Sequence, residues 1–340
     1  MQRSTTEALP VGGRRSTVIL ALKLLAGLVI IAAPVLIASN WVPGVSAVAF
    51  FGVLAASFGW ISGGVRVGAL VVASLTLLGV VSILLRGQTW ALALILVLLG
   101  VAYGFAAGRG MGKVVLQLPI LTPYFMRKPP ALLNDPPIID VTYIIGLVVI
   151  MIVTGLWTIL ILHLAAGRRT VTRTEVTNPR IPLIYGTILG LISAAVMIIG
   201  TTTEIKTHWV WITLTLYVLA DPQQLYSPAK MWGRVLGTLA GFVGVSLISL
   251  VVPDNVLIYL AIPALCLCLV FMLLKKPYWE YAFFLTVAVI LMDTSDVSTL
   301  LLDAERFGFT IVGAGLSMVA ALLVNFIGYG RAGLGSSARA

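Results

Sequence analysis

Charge is what this sequence has least of. Of its 340 residues, 12 are Asp or Glu and 22 are Lys or Arg, so charged residues make up only 10%. Soluble domains carry roughly 45–50% apolar and about 25% charged residues. Against that, a hydrophobic content of 60% and a mean hydropathy of +1.08 exclude a water-soluble fold. Metal ligands are equally scarce. His163 and His208 stand far apart, with no H-E-x-x-H or Cys-x-x-Cys companions, which argues against a catalytic metal. Cys266 and Cys268 sit in an apolar run with no His or acid nearby, as core- or lipid-facing thiols do. No G-x-S-x-G nucleophile elbow occurs. GRGMGK at 108–113 imitates a phosphate-binding loop, but Ala107 stands where the first Gly belongs and Val114 where Ser or Thr belongs, excluding ATP hydrolysis there. No acid falls clearly in mid-span: Asp140, Asp221, Asp293 and Asp303 all lie at span ends, which weighs against a dedicated carboxylate proton relay. An enzyme is not expected, nor is a cofactor or a metal.

What is present is a succession of apolar runs, each a candidate to cross a hydrocarbon core of about 30 Å. Breaks at polar or Pro/Gly-rich positions give twelve: 17–38, 44–60, 65–85, 89–107, 113–126, 138–164, 183–201, 209–220, 232–252, 255–274, 277–292 and 307–329. Four of them (44–60, 113–126, 209–220 and 277–292) fall short of the roughly 17–25 residues of a full span, so ten to twelve crossings are expected. Arg14 and Arg15 precede the first run as in a signal peptide, but 17–38 is too long for an h-region and is read as a retained helix. Alternating the sides with the N-terminus inside puts sixteen of the 22 basic residues in the cytoplasm. Only Arg86, Arg127, Lys128, Lys206 and Arg306 fall outside, and Lys23 lies within the first span, where it snorkels to the interface. This bias places both termini in the cytoplasm and the chain in the cytoplasmic membrane. It also accounts for the net charge of +10, whose scattered residues show none of the clustering that nucleic acid binding demands.

The most basic loop, residues 167–180, divides the chain into a first repeat (16–166) and a second (181–330), flanked by cytoplasmic tails 1–15 and 331–340. An offset of 168 pairs Trp41 with Trp209, Arg66 with Arg234 and Asp135 with Asp303, and matches short segment to short segment. Six segments per half predict an all-α bundle of two parallel repeats, about an axis along the membrane normal, with any pathway at their interface.

The densest polar stretch, 203–241, holds the candidate pathway residues. Trp209, Thr213 and Tyr217 share one face of a short helix stopped by Asp221-Pro222. They could line a pore; alternatively, Trp209 and Trp211 are interfacial belt residues, and Thr213 and Thr215 bond their own helix backbone. Arg234 opens the next helix. Its GRVLGTLAG carries two overlapping G-x-x-x-G patterns, Gly233/Gly237 and Gly237/Gly241, which with Thr238 form a helix-packing stripe. Arg66 and Arg234 at the cytoplasmic mouth would favour anions, or serve simply as positive-inside anchors.

HWVWITLTLYVLADP, WGRVLGTLAG, KKPYWEYAFFLTVAVIL and ERFGFTIVGAGLSMVAAL, with WVPGVSAVAF and Arg66 plus Gly68 in the first half, resemble the fusaric acid resistance and aromatic acid exporter superfamily. The resemblance implies conduction or efflux of small organic anions, aromatic carboxylates among them. Arg234, Gly237, Thr238 and Gly241 inherit the family's helix-start role, and Arg306 that of the last helix. Plant aluminium-activated malate channels are distant relatives built as dimers of six-helix units. The resemblance therefore implies that a single chain is the equivalent of a fused dimer, with the lipid bilayer and an organic anion as its partners. The alternative is a non-transporting membrane scaffold for cell-envelope biosynthesis enzymes, held through its glycine-rich faces.

Overall fold

A computed structural model describes residues 14–134, 136–171, 173–203, 209–221, 228–252, 254–273, 277–292 and 299–336. His208, Lys206, Asp135 and Asp293 lie outside the described residues, and so do the side chains of Arg306, Asp303 and Cys266. The first half consists of α1 (Arg14–Ala38), α2 (Val45–Leu84), α3 (Thr89–Gly108), α4 (Gly112–Val115), α5 (Gln117–Arg127) and α6 (Val141–Ala166). The second consists of α7 (Arg180–Thr202), α8 (Trp209–Leu219), α9 (Pro228–Ser249), α10 (Asp254–Leu273), α11 (Tyr278–Met292) and α12 (Thr299–Ser336). The protein is all-α and multi-pass, as its apolar runs predict: a backbone in hydrocarbon must satisfy its hydrogen bonds within each segment. Among the described residues, six helices are long and apolar enough to cross a membrane.

The longest of these six hides two crossings. Straight, the 40 residues of α2 would reach about 60 Å, twice the hydrocarbon thickness. Gly63 (φ −172°, ψ 19°) and Gly64 (φ 79°, ψ −162°) break it. A Cβ on Gly59 would lie 2.9 Å from the Cα of Gly68, so residues 45–62 and 65–84 fold back on each other as an antiparallel pair. Only a glycine tolerates the positive φ at Gly64, and the Arg169 carbonyl occupies the place its Cβ would take.

Counting the two arms of α2 separately and α4 with α5 as one gives six segments on each side of the linker. With that count the packing partners come in matching sets. Helix α6 packs on α1 and α2, as α12 packs on α7, α8 and α9. Helix α5 packs on α2 and α3, as α11 packs on α9 and α10. Across the halves α3 meets α7, and α10 meets α1.

The α3–α7 crossing is the tightest, through Gly100 and Gly104 on one helix and Gly186 and Gly190 on the other. A Cβ on Gly100 would come 2.5 Å from the Gly186 carbonyl oxygen, so the two backbones touch directly. In the second half the Gly233–Gly237–Gly241 stripe faces α11. A Cβ on Gly237 would lie 2.7 Å from the Trp279 carbonyl oxygen, and one on Gly241 2.9 Å from Thr286.

The linker is strapped across one end of the bundle. The Arg169 guanidinium lies 5.1 Å from the Trp60 ring centroid, and the Thr174 N–H donates to the Gly110 carbonyl at 3.1 Å. At the other end Leu133 N–H donates to the Pro43 carbonyl at 3.0 Å, while Asp140 caps α6 by accepting from Tyr143 N–H at 2.7 Å.

Candidate functional site

Between the halves lies a cavity of about 400 Å³. Its most polar wall is one face of α9, where Lys230, Arg234, Thr238 and Phe242 follow each other at a spacing of four residues. Facing them are Tyr278, Tyr281, Leu285, Thr286 and Val289 of α11, with Cys268 and Met272 of α10 and Phe307 and Thr310 of α12. The first half supplies Phe50, Phe51, Phe58 and Ser62 from α2, Lys113 from α4, and Gln117, Leu121 and Tyr124 from α5. Five lining pairs stand 168 residues apart: Phe50 and Val218, Ser62 and Lys230, Lys113 and Tyr281, Gln117 and Leu285, Leu121 and Val289. Both halves therefore present corresponding positions to the same space.

Polarity falls along the α9 wall. At the linker end, Lys230 Nζ donates to the Ala220 carbonyl at 3.4 Å, and Ser62 Oγ donates to the Lys113 carbonyl at 3.2 Å. One turn further stands Arg234, only 3% exposed, with Nε and Nη1 lacking any hydrogen-bond partner. Its charge reaches Cys268, Tyr278 and Tyr281. Beyond it, Thr286 Oγ1 donates to the Ala282 carbonyl at 2.8 Å and, more weakly, to Thr238 Oγ1 at 3.5 Å. Phe242 closes the series. Among the described residues, no Asp or Glu lines the cavity. A guanidinium with two unmet donor groups in a largely aromatic cavity is costly to bury, and an anion accepting from its planar fork would offset that cost.

The sequence-selected residues divide on inspection. Arg234 and Thr238 line the cavity; Arg66 is exposed on the second arm of α2 and does not. The face of α8 carrying Trp209, Thr213 and Tyr217 is turned away from it. Trp209 sits in a small separate cluster with Leu92, Leu96 and Met197, Thr213 is fully buried, and Tyr217 stands edge-on to Tyr103 at 5.9 Å between ring centroids. The cavity receives the opposite face, Trp211, Leu214 and Val218. Nor are Trp209 and Trp211 belt residues: ten of the eleven residues of α8 are buried within the protein. Lys113 of α4 and Lys230 of α9 also line the cavity, although in the sequence both read only as cytoplasmic basic residues. Their signal was proximity to the G-x-x-x-G helix start, since Lys230 stands one turn ahead of Arg234.

Residues 195–320 match the family model described as fusaric acid resistance protein-like. The match runs from the end of α7 into α12 and so includes the whole α9 wall of the cavity. It agrees with the resemblance that the four motifs carry. No curated protein and no solved structure matches the chain.

Proposed function

We propose that this protein exports small organic anions, aromatic carboxylates among them, from the cytoplasm through the cavity between two parallel six-segment repeats. The observation that carries the reading is Arg234, a buried guanidinium with unmet donors in a cavity whose described residues offer it no carboxylate. A scaffold would gain nothing from a buried, unpaired charge. A site that binds an anion transiently needs one, because a permanent protein counter-ion would compete with the ligand. The surrounding aromatic side chains supply ring faces for a planar ligand, and about 400 Å³ lies within the range of small-molecule sites. Lys113 and Lys230 at the linker end give the mouth a potential that draws anions in. The basic linker sets that end in the cytoplasm, and the matching packing sets and lining pairs support the repeat. Arg66, exposed, serves as a headgroup anchor.

The test is efflux of radiolabelled benzoate from proteoliposomes containing wild type, Arg234→Ala or Arg66→Ala. Flux should fall at least tenfold in Arg234→Ala and stay within twofold of wild type in Arg66→Ala. Undiminished flux in Arg234→Ala would refute the assignment.

A further inference from the structure

The cavity has two chemically different ends and a length that its helices set. Lys230 and Ser62 line it at the linker end. From Lys230 to Phe242 on α9, and from Ser62 back to Phe51 on the first arm of α2, each wall runs about 17 Å at a helical rise of 1.5 Å per residue. Arg234 stands one turn in from the linker end, which leaves about 12 Å of wall between it and Phe242. Beside it is Tyr278 of α11, whose ring packs on Gly233: a Cβ there would lie 2.9 Å from Tyr278 Cδ1. The Tyr278 hydroxyl is buried and, like Nε and Nη1 of Arg234, has no hydrogen-bond partner. Three unmet donors on two packed helices thus belong to the wall of one cavity. The far end is apolar. Phe51 lies 6.0 Å from Phe50 and 5.5 Å from Tyr124 between ring centroids, and Tyr124 stands edge-on to Trp211 at 6.0 Å. These contacts tie α2, α5 and α8 into an aromatic floor, and all four rings line the cavity. Among the described lining residues the cations are Lys113, Lys230 and Arg234, all toward the linker end.

We propose that the cavity selects a rod-shaped monoanion two aromatic rings long, its single carboxylate held by Arg234 and Tyr278 and its far ring resting against Phe51. This rests on the anion reading of the cavity and adds to it a second head-group donor, the permitted charge and the length. An ionised carboxylate accepts at several lone-pair sites on two oxygens, so the guanidinium and the phenol can share one head group. Each ring behind the head buries more apolar surface against side chains that are themselves rings, until the wall beyond Arg234 is used up. Benzoate ends short of the floor, para-phenylbenzoate spans the distance, and the three-ring terphenyl acid overruns it. A second carboxylate at the far ring would be buried among Phe50, Phe51 and Phe242, where no described cation meets it, so a dianion is refused. Polarity along the α9 wall thereby becomes a rule of orientation: the charged head stays toward the linker end and the apolar body points at the floor.

The probes are benzoate, para-phenylbenzoate, the para-terphenyl carboxylate and biphenyl dicarboxylate, all ionised at about pH 8. Binding to the purified full chain in detergent is measured calorimetrically. Wild type should bind para-phenylbenzoate about twentyfold more tightly than benzoate, the gain from burying one more ring. It should bind the terphenyl acid and the dicarboxylate at least about tenfold more weakly than para-phenylbenzoate. The fall at three rings separates fit from partition into detergent, which only rises with ring number. Tyr278→Phe should weaken benzoate and para-phenylbenzoate by the same factor of about ten, because the hydroxyl meets only the head. Phe51→Ala should open the floor and bring the terphenyl acid level with para-phenylbenzoate. Terphenyl or dicarboxylate binding as tight as that of para-phenylbenzoate in wild type would overturn the selection and leave the anion reading standing. So would unequal losses in Tyr278→Phe, or an unchanged length preference in Phe51→Ala. Absence of binding by wild type for every acid would overturn the anion reading and the selection with it. Were Phe51→Ala not to fold, as judged by gel filtration, the wild-type series and Tyr278→Phe would still decide the matter.

Discussion

Arg234→Met keeps most of the length of the side chain and removes its charge. The guanidinium is 3% exposed with two unmet donor nitrogens. A buried donor left without a partner costs about 1–3 kcal/mol. Methionine fills irregular gaps without polar atoms and loses little of the packing against Tyr278 and Cys268. The variant should therefore be more stable than wild type by about 2 kcal/mol, which at roughly 2 °C per kcal/mol raises the melting midpoint by about 4 °C. The ligand response should go the other way. At a concentration of 100 Kd an anion stabilises wild type by about 2.7 kcal/mol through mass action, and should leave Arg234→Met unmoved. Thermal melts in detergent followed by tryptophan fluorescence, with and without benzenesulfonate, read both effects. A ligand-free Arg234→Met that melts several degrees below wild type would refute the reasoning, because it would show that the guanidinium holds the structure together.

Four further substitutions test the packing. Gly186→Ala should cost at least about 2 kcal/mol in the same melts, since its Cβ would collide with the α3 backbone; Gly308→Ala, on open helix surface, should be neutral or stabilising by up to about 1 kcal/mol. Gly64→Ala combines a positive φ with a collision at the Arg169 carbonyl, so it should release the linker strap, measured as faster proteolysis at 167–179. Asp140→Ala removes the N-cap of α6 and should lower stability by about 1 kcal/mol, visible as earlier hydrogen exchange at the amide of Tyr143.

How much of this was legible depended on which physical signal each feature uses. The crossings were legible because hydrophobic length is a composition signal. The break between 60 and 65 was legible for the same reason, and the structure realises it as a glycine hairpin rather than a loop. The α3–α7 glycine pairs went unread although Gly100/Gly104 and Gly186/Gly190 show the same spacing as Gly233/Gly237. A spacing says that some helix can approach closely, not which one. The linker's place against Gly63, Gly64 and Gly110 is a tertiary fact with no local signature.

For the site, the period was right and the phase was not. Trp209, Thr213 and Tyr217 do share a face, and choosing it assumed that the polar face of a short helix turns toward the pathway. That assumption holds for a helix with one wet side. Helix α8 has none: it is buried all round, so its hydroxyls pack into protein and its cavity face is Trp211, Leu214 and Val218. Arg66 and Arg234 show the converse. They are equivalent in sequence offset, yet α9 is pressed against α11 by its glycines, which carries Arg234 inward, while Arg66 on the return arm of α2 stays exposed. The repeat proposed above predicts matching positions; it does not predict matching exposure. A cavity that needs one buried cation is better served when only one copy supplies it, since two unpaired guanidinium groups in the same dry space would repel each other and raise the cost of the empty state. Arg66→Trp should therefore leave anion flux within twofold of wild type, whereas Leu121→Arg, which adds a second cation to the cavity wall, should lower the melting midpoint by several degrees and recover part of it when benzenesulfonate is added.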